Sequence, residues 1–130
     1  MKKIILITLA CLFMLSLSAC AEVTELSVNE PGTVHYSFGM NFFEEDLTQT
    51  EIDSLVALLD GKLEVSKAPD CGYSRIISFT LGEQTYAVAK DGCSALLHMN
   101  TNRYITLSDE EWAVVEALFT SREGYLPGHP

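Results

Sequence analysis

The stretch between Cys71 and Cys93 constrains the fold most, because apolar and polar residues alternate on both sides of a turn signal at Gly82 and Glu83. A period of two is typical of a half-buried β-strand. A two-residue loop at this turn would bring apolar residues opposite one another. The pairs it predicts are Phe79 with Tyr86 and Ile77 with Val88. We therefore expect a β-hairpin with the two cysteines together at its open end.

The register of this hairpin has more than one solution. With the two-residue loop, Gly72 lies opposite Cys93, one residue away from Cys71. A three-residue turn centred on Gly82 would set Cys71 directly opposite Cys93 but would break the apolar pairs. A β-bulge near Gly72 would reconcile those pairs with a cysteine bridge. The two cysteines meet in each case.

The first twenty residues have the layout of an export signal. Two cations, Lys2 and Lys3, precede an apolar run that reaches about Leu17. This run is short and contains Thr and Ser, so a permanent transmembrane helix is the weaker interpretation. An ordinary secretory signal that leaves Cys20 as a spare thiol is another alternative.

The end of this segment favours a lipid anchor. Leu17, Ser18 and Ala19 stand before Cys20, and the motif resembles the lipobox of bacterial lipoproteins. The resemblance implies a signal peptide over residues 1–19, cleavage by signal peptidase II, and lipidation of Cys20 with acyl chains such as palmitate. Two or three chains hold firmly, since each buried methylene contributes about 0.8 kcal/mol. We expect an extracytoplasmic protein anchored to the cell membrane or an outer membrane.

Export also gives the remaining cysteines a role. Cys11 belongs to the signal segment and Cys20 to the lipid anchor, which leaves Cys71 and Cys93. Two cysteines in an exported domain indicate a disulfide. A redox or metal pair is the alternative, but neither residue has a Cys or His nearby at ligand spacing. A cross-link of this loop length stabilises a fold by about 3 kcal/mol.

Charge limits the partners of the exported part. Without residues 1–19 the chain loses Lys2 and Lys3 and keeps six basic residues against 18 acidic ones, a net charge of −12. Such an acidic surface argues against nucleic acid and against additional binding to anionic lipid headgroups. From the sequence alone, we prefer a solvated exterior over a dedicated site for a cationic partner.

Other periodic segments complete the pattern. Alternation over residues 34–42 predicts a single strand, ended by an acidic turn at residues 44–46. Two capping boxes, which begin at Thr48 and Ser108, predict amphipathic helices. Asp91 and Gly92 form a strong hairpin signal. Further strands are expected at residues 63–66, 93–99 and 103–107.

These elements predict an α+β fold with a single antiparallel sheet, a C-terminal strand meander, two amphipathic helices on one face and one disulfide. We divide the chain into four parts. They are a signal peptide (1–19), a lipidated N-terminus and tether (20–32), a single α+β domain (33–121) and a tail (122–130).

The second half of the domain carries a loose family resemblance. Asp91, Gly92 and Cys93, the strand around Tyr104 and the helix start over residues 107–112 are similar to small uncharacterised lipoproteins of Gram-positive bacteria. This resemblance covers about a quarter of the chain. It implies no particular activity and no functional residues.

The reactive side chains form no recognisable catalytic or metal-binding motif. His35, His98 and His129 are dispersed, whereas a metal site needs at least three converging ligands. We interpret His35 and His98 as surface or edge-strand positions. No Ser stands in a Gly-x-Ser-x-Gly motif, and the run at 44–46 lacks the alternating ligands of a calcium loop. We expect no cofactor, no metal and no enzymatic activity.

Arg103 and Tyr104 are the residues that we select as a possible binding site. An exposed Arg-Tyr pair beside a predicted hairpin tip could anchor a partner. Bacterial lysozyme-inhibitor lipoproteins also combine a small disulfide-bonded domain with an Arg-Tyr motif, but the small-residue loop that precedes the pair there is missing here. We predict a non-catalytic binding or accessory module for an envelope protein or peptide. The alternative is a small-ligand or peptide sensor or inhibitor domain at the cell surface.

Overall fold

A computed structural model describes residues 25–27, 29–89 and 93–122. Within these residues the chain forms an α+β structure with one six-stranded antiparallel sheet and two helices. The strands are β1 (Gly32–Phe38), β2 (Asn41–Asp46), β3 (Tyr73–Leu81), β4 (Gln84–Ala89), β5 (Ala95–His98) and β6 (Arg103–Thr106). The helices are α1 (Gln49–Leu59) and α2 (Asp109–Thr120). The predicted signal peptide, Cys20, the Asp91 and Gly92 turn and most of the predicted tail lie outside the described residues.

The strands lie in the order β2-β1-β3-β4-β5-β6. Strands β3 to β6 are neighbours in sequence and in space, which is the predicted meander. Strand β1 runs beside β3, with Val34 opposite Phe79, and β2 forms an outer edge of the sheet. The short strand predicted at residues 63–66 is reduced to isolated bridge positions at Leu63 and Val65, and Val65 bridges to Tyr104 of the opposite edge strand β6.

The segment predicted as one strand over residues 34–42 is instead a hairpin. A two-residue turn that begins at Gly39 joins β1 to β2, with Phe38 opposite Asn41, and Gly39 has a φ of 63°. The prediction of an acidic turn at residues 44–46 is wrong, because these residues continue β2. A two-residue turn preserves a period of two, so alternation alone could not reveal it.

This turn changes which face of the sheet each apolar residue occupies. Phe38 and Asn41 are directly opposite and therefore share a face, so even-numbered residues of β1 share a face with odd-numbered residues of β2. Val34 and Tyr36 are buried in the core. Phe42 belongs to the other face and is 71% exposed.

The β3–β4 hairpin confirms the predicted loop. Leu81 pairs with Gln84 across a two-residue turn, and Phe79 pairs with Tyr86. The centroids of these two rings are 5.3 Å apart and both residues are fully buried. Stacked aromatic pairs of this kind contribute about 0.5–1.5 kcal/mol beyond the burial of their area.

Farther from this loop, a bulge shifts the register between β3 and β4. The ladder is interrupted between Ser74 and Ser78, so the predicted pairing of Ile77 with Val88 is wrong. Val88 lies opposite Ser74 instead. The extra residues of β3 leave the ladder as a bulge and increase the local twist of the strand.

The disulfide between Cys71 and Cys93 closes the open end of the β3–β4 hairpin, as predicted. The two Cα atoms are 6.4 Å apart, which is within the span of a disulfide. The bulge lies between Ser74 and Ser78 rather than near Gly72. It allows an in-register apolar pair near the loop and a cysteine bridge at the far end.

Both predicted capping boxes are present. At α1, the Thr48 side chain accepts a hydrogen bond from the Glu51 amide, and the Glu51 carboxylate accepts one from the Thr48 amide. Ser108 and Glu111 form the same two hydrogen bonds at the start of α2. Gly61 follows α1 with a φ of 73°, a conformation that favours glycine. The buried helix residues are Ile52, Leu55, Val56 and Leu59 in α1 and Trp112, Val115, Leu118 and Phe119 in α2.

The buried residues of the sheet and of both helices form one hydrophobic core. A fully buried Leu or Phe contributes about 1.5–3 kcal/mol relative to an exposed one. The largest fully buried side chains are Tyr86, Phe79, Phe119, Leu55, Leu59, Leu96 and Ile105. Neither described helix is long and apolar enough to cross a membrane.

Candidate binding surface on the β1–β2 hairpin

The β1–β2 hairpin carries a concentration of large exposed apolar side chains. Four of the seven such side chains among the described residues lie at its closed end. We call this group the hairpin patch: Phe38, Met40, Phe42 and Phe43. Met40, in the turn, is 93% exposed. Phe38 and Phe43 lie on one face of the hairpin and Phe42 lies on the other, with Met40 in the turn between them. Several large exposed apolar residues at one end of a hairpin mark an interaction site more often than isolated ones do.

The hairpin patch rests on an ordered support. Phe43 stacks on Tyr36, with ring centroids 5.2 Å apart and an interplanar angle of 17°. The Tyr36 hydroxyl donates a hydrogen bond to the carboxylate of Glu45. Tyr36 itself is buried in the core. These contacts fix the hairpin before any partner arrives, which lowers the entropic cost of binding.

Arg122 ties the hairpin to both helices. Its Nε donates to Glu45 Oε2 at 3.0 Å, and its two terminal nitrogens donate to the Glu51 carboxylate. The hydrogen bonds from Arg122 lower the pKa of Glu51 to about 2, against the opposing effect of burial. The same pairing raises the pKa of Arg122. Strand β2 is therefore held at Glu45 by a cation that follows α2.

A groove of about 510 Å³ lies on the sheet face that carries Phe42. Its floor is made of small polar side chains that are opposite one another on adjacent strands, Thr80 on β3 and Thr85 on β4. The β3 bulge supplies Arg75 and Ile76 to its wall. The groove is thus continuous with the hairpin patch through Phe42.

A chain of polar contacts crosses three strands beside this groove. His35 Nδ1 lies 3.5 Å from Glu44 Oε2 on β2, and His35 Nε2 lies 3.3 Å from the hydroxyl of Thr33. The Thr33 hydroxyl lies 2.6 Å from that of Thr80 on β3. His35 is half-buried on β1, in partial agreement with its predicted surface or edge-strand position.

Hydroxyl, imidazole and carboxylate in this order have the composition of a nucleophile, a base and an orienting acid. The distances are longer than those of charge-assisted hydrogen bonds. The amide of Thr33 donates to Thr80 Oγ1 at 3.1 Å, so this amide is not free to stabilise an oxyanion. We therefore assign these residues to bracing of the sheet.

The outer edge of β2 presents backbone groups to solvent. The Leu47 amide, just after β2, donates to the Gly32 carbonyl at 2.9 Å. Inward and outward amides alternate along an antiparallel edge strand, so the amides of Phe42, Glu44 and Asp46 point away from β1. No described strand pairs with this edge, and all six residues of β2 are exposed.

The prediction that His98 is a surface or edge-strand position is wrong. His98 is 4% exposed and lies on β5, where its ring stacks on Tyr86 at 4.8 Å. Its Nδ1 lies 2.6 Å from Glu64 Oε1 and its Nε2 lies 2.6 Å from Gln84 Oε1. The Thr101 hydroxyl donates to the second oxygen of Glu64. His98, at the centre of this network, is buried, and a substrate could not reach it. The network therefore has a structural role.

Tyr86 adds an unusual feature to this network. Its hydroxyl is buried and has no hydrogen-bond partner within the described part of the chain. Burial, followed by the nearby charge of Glu64, raises its pKa. An ionised Tyr86 is therefore strongly disfavoured, and the side chain serves as a stacking partner for Phe79 and His98.

Arg103 and Tyr104, selected from the sequence, both lie in β6 and are half-buried. Consecutive residues of a strand point to opposite faces, so the two side chains do not form one surface. Tyr104 lies 5.3 Å from Tyr73, ring to ring, and exchanges two backbone hydrogen bonds with Val65. Burial, with a smaller contribution from Tyr104, raises the pKa of Tyr73 to about 12. A binding role for the pair stays a prediction.

Sequence reasoning missed the hairpin patch. The signal was Gly39, an isolated glycine within an alternating run, because such a glycine often marks a turn or bulge. A turn there would have moved Phe42 away from the core face. The disulfide residues Cys71 and Cys93 lie where the sequence predicts them.

Comparisons with known proteins add no further constraint. The chain matches no known family model, no curated protein and no solved structure.

Proposed function

We propose that this chain is a membrane-anchored extracytoplasmic lipoprotein whose domain is a non-catalytic binding module. The clustering of Phe38, Met40, Phe42 and Phe43 on one hairpin is the observation that carries the binding role. Aromatic and Met side chains are enriched at protein interfaces, where their burial supplies most of the binding energy. The partner is a protein or peptide of the cell envelope.

The position of the N-terminal segment supports contact with a protein rather than with the anchoring membrane. Pro31 accepts a hydrogen bond from the Gly82 amide, so the chain enters the sheet beside the β3–β4 turn. Strand β1 then runs for seven residues, about 23 Å, before it reaches the hairpin patch. The chain therefore enters the sheet at the end that is remote from the hairpin patch.

We also infer that both helices cover the same face of the sheet. Buried residues of α1 and α2 belong to the same core cluster as Val34, Phe79 and Leu96 of the sheet. The groove lies on the opposite face, with Thr80 and Thr85 in its floor. This arrangement leaves one sheet face and the hairpin patch available to a partner.

The experiment that tests the binding role is site-specific cross-linking in intact envelopes. A photoreactive residue at Met40 is expected to capture a discrete partner, and Phe42→Ser is expected to abolish the product. Leu63→Ser is the matched control, because Leu63 is also an exposed apolar residue but precedes the bridge beside β6. Equal capture by the Phe42→Ser protein, or equal loss with Leu63→Ser, would contradict the proposal.

The groove supports a second candidate, a small-ligand or peptide sensor, because about 510 Å³ is within the size range of ligand pockets. Thr85→Trp would narrow this groove from β4, which β1 and β3 separate from the strand that carries Phe42. Under the protein-contact proposal, cross-linking from Met40 persists in this variant. Its loss, together with an unchanged melting temperature, would favour the sensor.

The non-catalytic part of the proposal has its own test. The His35→Ala and wild-type proteins are expected to hydrolyse an activated ester equally slowly, and both should retain the cross-link at Met40. A rate that falls at least about a hundredfold with His35→Ala would instead assign base catalysis to His35.

A further inference from the structure

We infer that the open edge of β2 accepts an extended segment of the partner as an additional strand, and that this segment carries Lys or Arg beside apolar residues. The inference rests on the proposed function and specifies its partner. It combines three features of β2: backbone groups that no described strand pairs with, an apolar end that belongs to the hairpin patch, and an acidic end next to α1.

The backbone of β2 is suited to strand addition. The outward amides and carbonyls of Phe42, Glu44 and Asp46 are spaced two residues apart, which is the repeat that a neighbouring antiparallel or parallel strand requires. All six residues of the strand are exposed, so no described segment covers the edge. Main-chain hydrogen bonds along such an edge supply affinity that is independent of the partner's sequence.

The side chains of β2 supply the chemical preference. Phe42 lies nearest the turn, whereas Glu44 and Asp46 follow on the same face of the sheet. Opposite charges on directly opposed residues stabilise a strand pair by about 0.2–1 kcal/mol, and like charges destabilise it. The favoured partner strand therefore has an apolar residue opposite Phe42 and cationic residues opposite the two carboxylates.

The edge is held in place before binding. On the opposite face, Glu45 is fixed by Arg122 and by the Tyr36 hydroxyl, and Phe43 stacks on Tyr36. Little ordering of β2 is therefore needed when a partner strand arrives. The net charge of the whole chain, −10, attracts a cationic segment at long range.

A second copy of this chain is the competing occupant of the edge. Antiparallel pairing of two β2 strands centred on Glu44 would set the Glu44 carboxylates of both copies directly opposite each other, and this repulsion disfavours that pairing. A hydrophobic surface alone would attract any apolar partner. The acidic half of the edge narrows the choice to a cationic strand.

Hydrogen exchange of the full chain in nonionic detergent tests the inference. The probe is a synthetic peptide of about ten residues in which one strand face carries Val opposite Phe42 and Lys opposite Glu44 and Asp46, and the control peptide has Glu in place of each Lys. The Lys peptide is expected to slow exchange at the amides of Phe42, Glu44 and Asp46 by at least about tenfold. The Glu peptide should leave the exchange rates of these amides unchanged, and added salt should weaken the binding of the Lys peptide.

Two substitutions of one residue separate backbone pairing from charge. Glu44→Pro removes an outward amide while leaving the ladder between β1 and β2 intact, and proline is tolerated at such edge positions. It is expected to abolish protection at Phe42 and Asp46. Glu44→Gln keeps the amide, so it should weaken binding severalfold and retain the protection pattern. Unchanged protection in the wild type on addition of Lys peptide refutes strand addition whether or not Glu44→Pro folds.

The outcomes distinguish this inference from the proposed function. Capture through Met40 that depends on Phe42, with no protection of β2 by the Lys peptide, refutes strand addition and leaves the binding module standing. If Met40 captures no partner and the Lys peptide does not protect β2, both the binding module and strand addition are refuted. Protection of the outward amides without any peptide, accompanied by dimers in sedimentation, overturns the inference in favour of a second copy.

Discussion

The guanidinium of Arg122 binds both carboxylate oxygens of Glu51, with Nη1 to Oε1 at 2.6 Å and Nη2 to Oε2 at 2.9 Å. Glu51 is also the residue that completes the capping box of α1. One carboxylate therefore closes the start of α1 and joins it to the residue that follows α2. A bidentate pair of this geometry is stronger than a single surface ion pair.

Arg122→Ala is expected to destabilise the domain at neutral pH by about 1–2 kcal/mol, since hydrogen bonds to charged groups are lost. The pKa of Glu51 is lowered from 4.5 to about 2, mainly by Arg122. Its stabilisation is therefore complete above about pH 4.5 and disappears as the pH falls towards 2. Urea unfolding across this range should show the difference between variant and wild type shrinking at low pH. Arg75→Ala, at an exposed position, is the control, and a pH-independent difference would contradict the assignment.

The pair of His98 and Glu64 predicts strongly non-additive substitutions. Glu64→Leu leaves a buried imidazole without its carboxylate and is expected to cost about 3 kcal/mol or more. Adding His98→Leu should restore much of that loss, because two apolar side chains can replace a buried polar pair. Chemical denaturation of the single and double variants measures the coupling energy. Simple addition of the two single effects would argue against a shared network.

Removal of the disulfide tests the closure of the β3–β4 hairpin. Reduction, or Cys71→Ala with Cys93→Ala, is expected to lower the free energy of unfolding by about 3 kcal/mol, because the unfolded chain gains conformational entropy without the cross-link. For a domain of this size the melting temperature should fall by roughly 10 °C or more. The double variant is the control, since reductant should leave its melting point unchanged. Reaction of the native protein with a thiol reagent at either position would contradict the bridge.

The lipid anchor is tested by Cys20→Ala. This substitution is expected to abolish incorporation of labelled palmitate and to leave an uncleaved or wrongly cleaved precursor. Cys11→Ala is the matched control, because Cys11 belongs to the predicted signal peptide and should not affect labelling. Labelling that persists in the Cys20→Ala protein would exclude this anchor.

Local sequence rules predicted the features that depend on neighbouring residues. The capping boxes at Thr48 and Ser108 and the loop between Leu81 and Gln84 are present because each is encoded within a few residues. The two-residue turn at Gly39 escaped the same reasoning, since it leaves the alternation unchanged. The hairpin patch was missed for that reason alone.

The features that the sequence did not predict depend on contacts between residues far apart in the chain. His98 is buried because Glu64, 34 residues earlier, supplies the carboxylate that its ring needs. Neither residue carries a local signal of this pairing. The position of the β3 bulge likewise depends on distant residues. The bulge must satisfy both the Phe79–Tyr86 pairing near the loop and the Cys71–Cys93 bridge at the far end, and several bulge positions are compatible with the sequence.

The acidic residues of β2 also bear on how neighbouring molecules behave. Lipid-anchored copies would be confined to two dimensions and would meet far more often than copies free in solution. Glu44, Glu45 and Asp46 give every copy a charged rim at the β2 edge, where two sheets could otherwise merge. The same residues that select a cationic partner would therefore keep a crowded layer of these molecules dispersed.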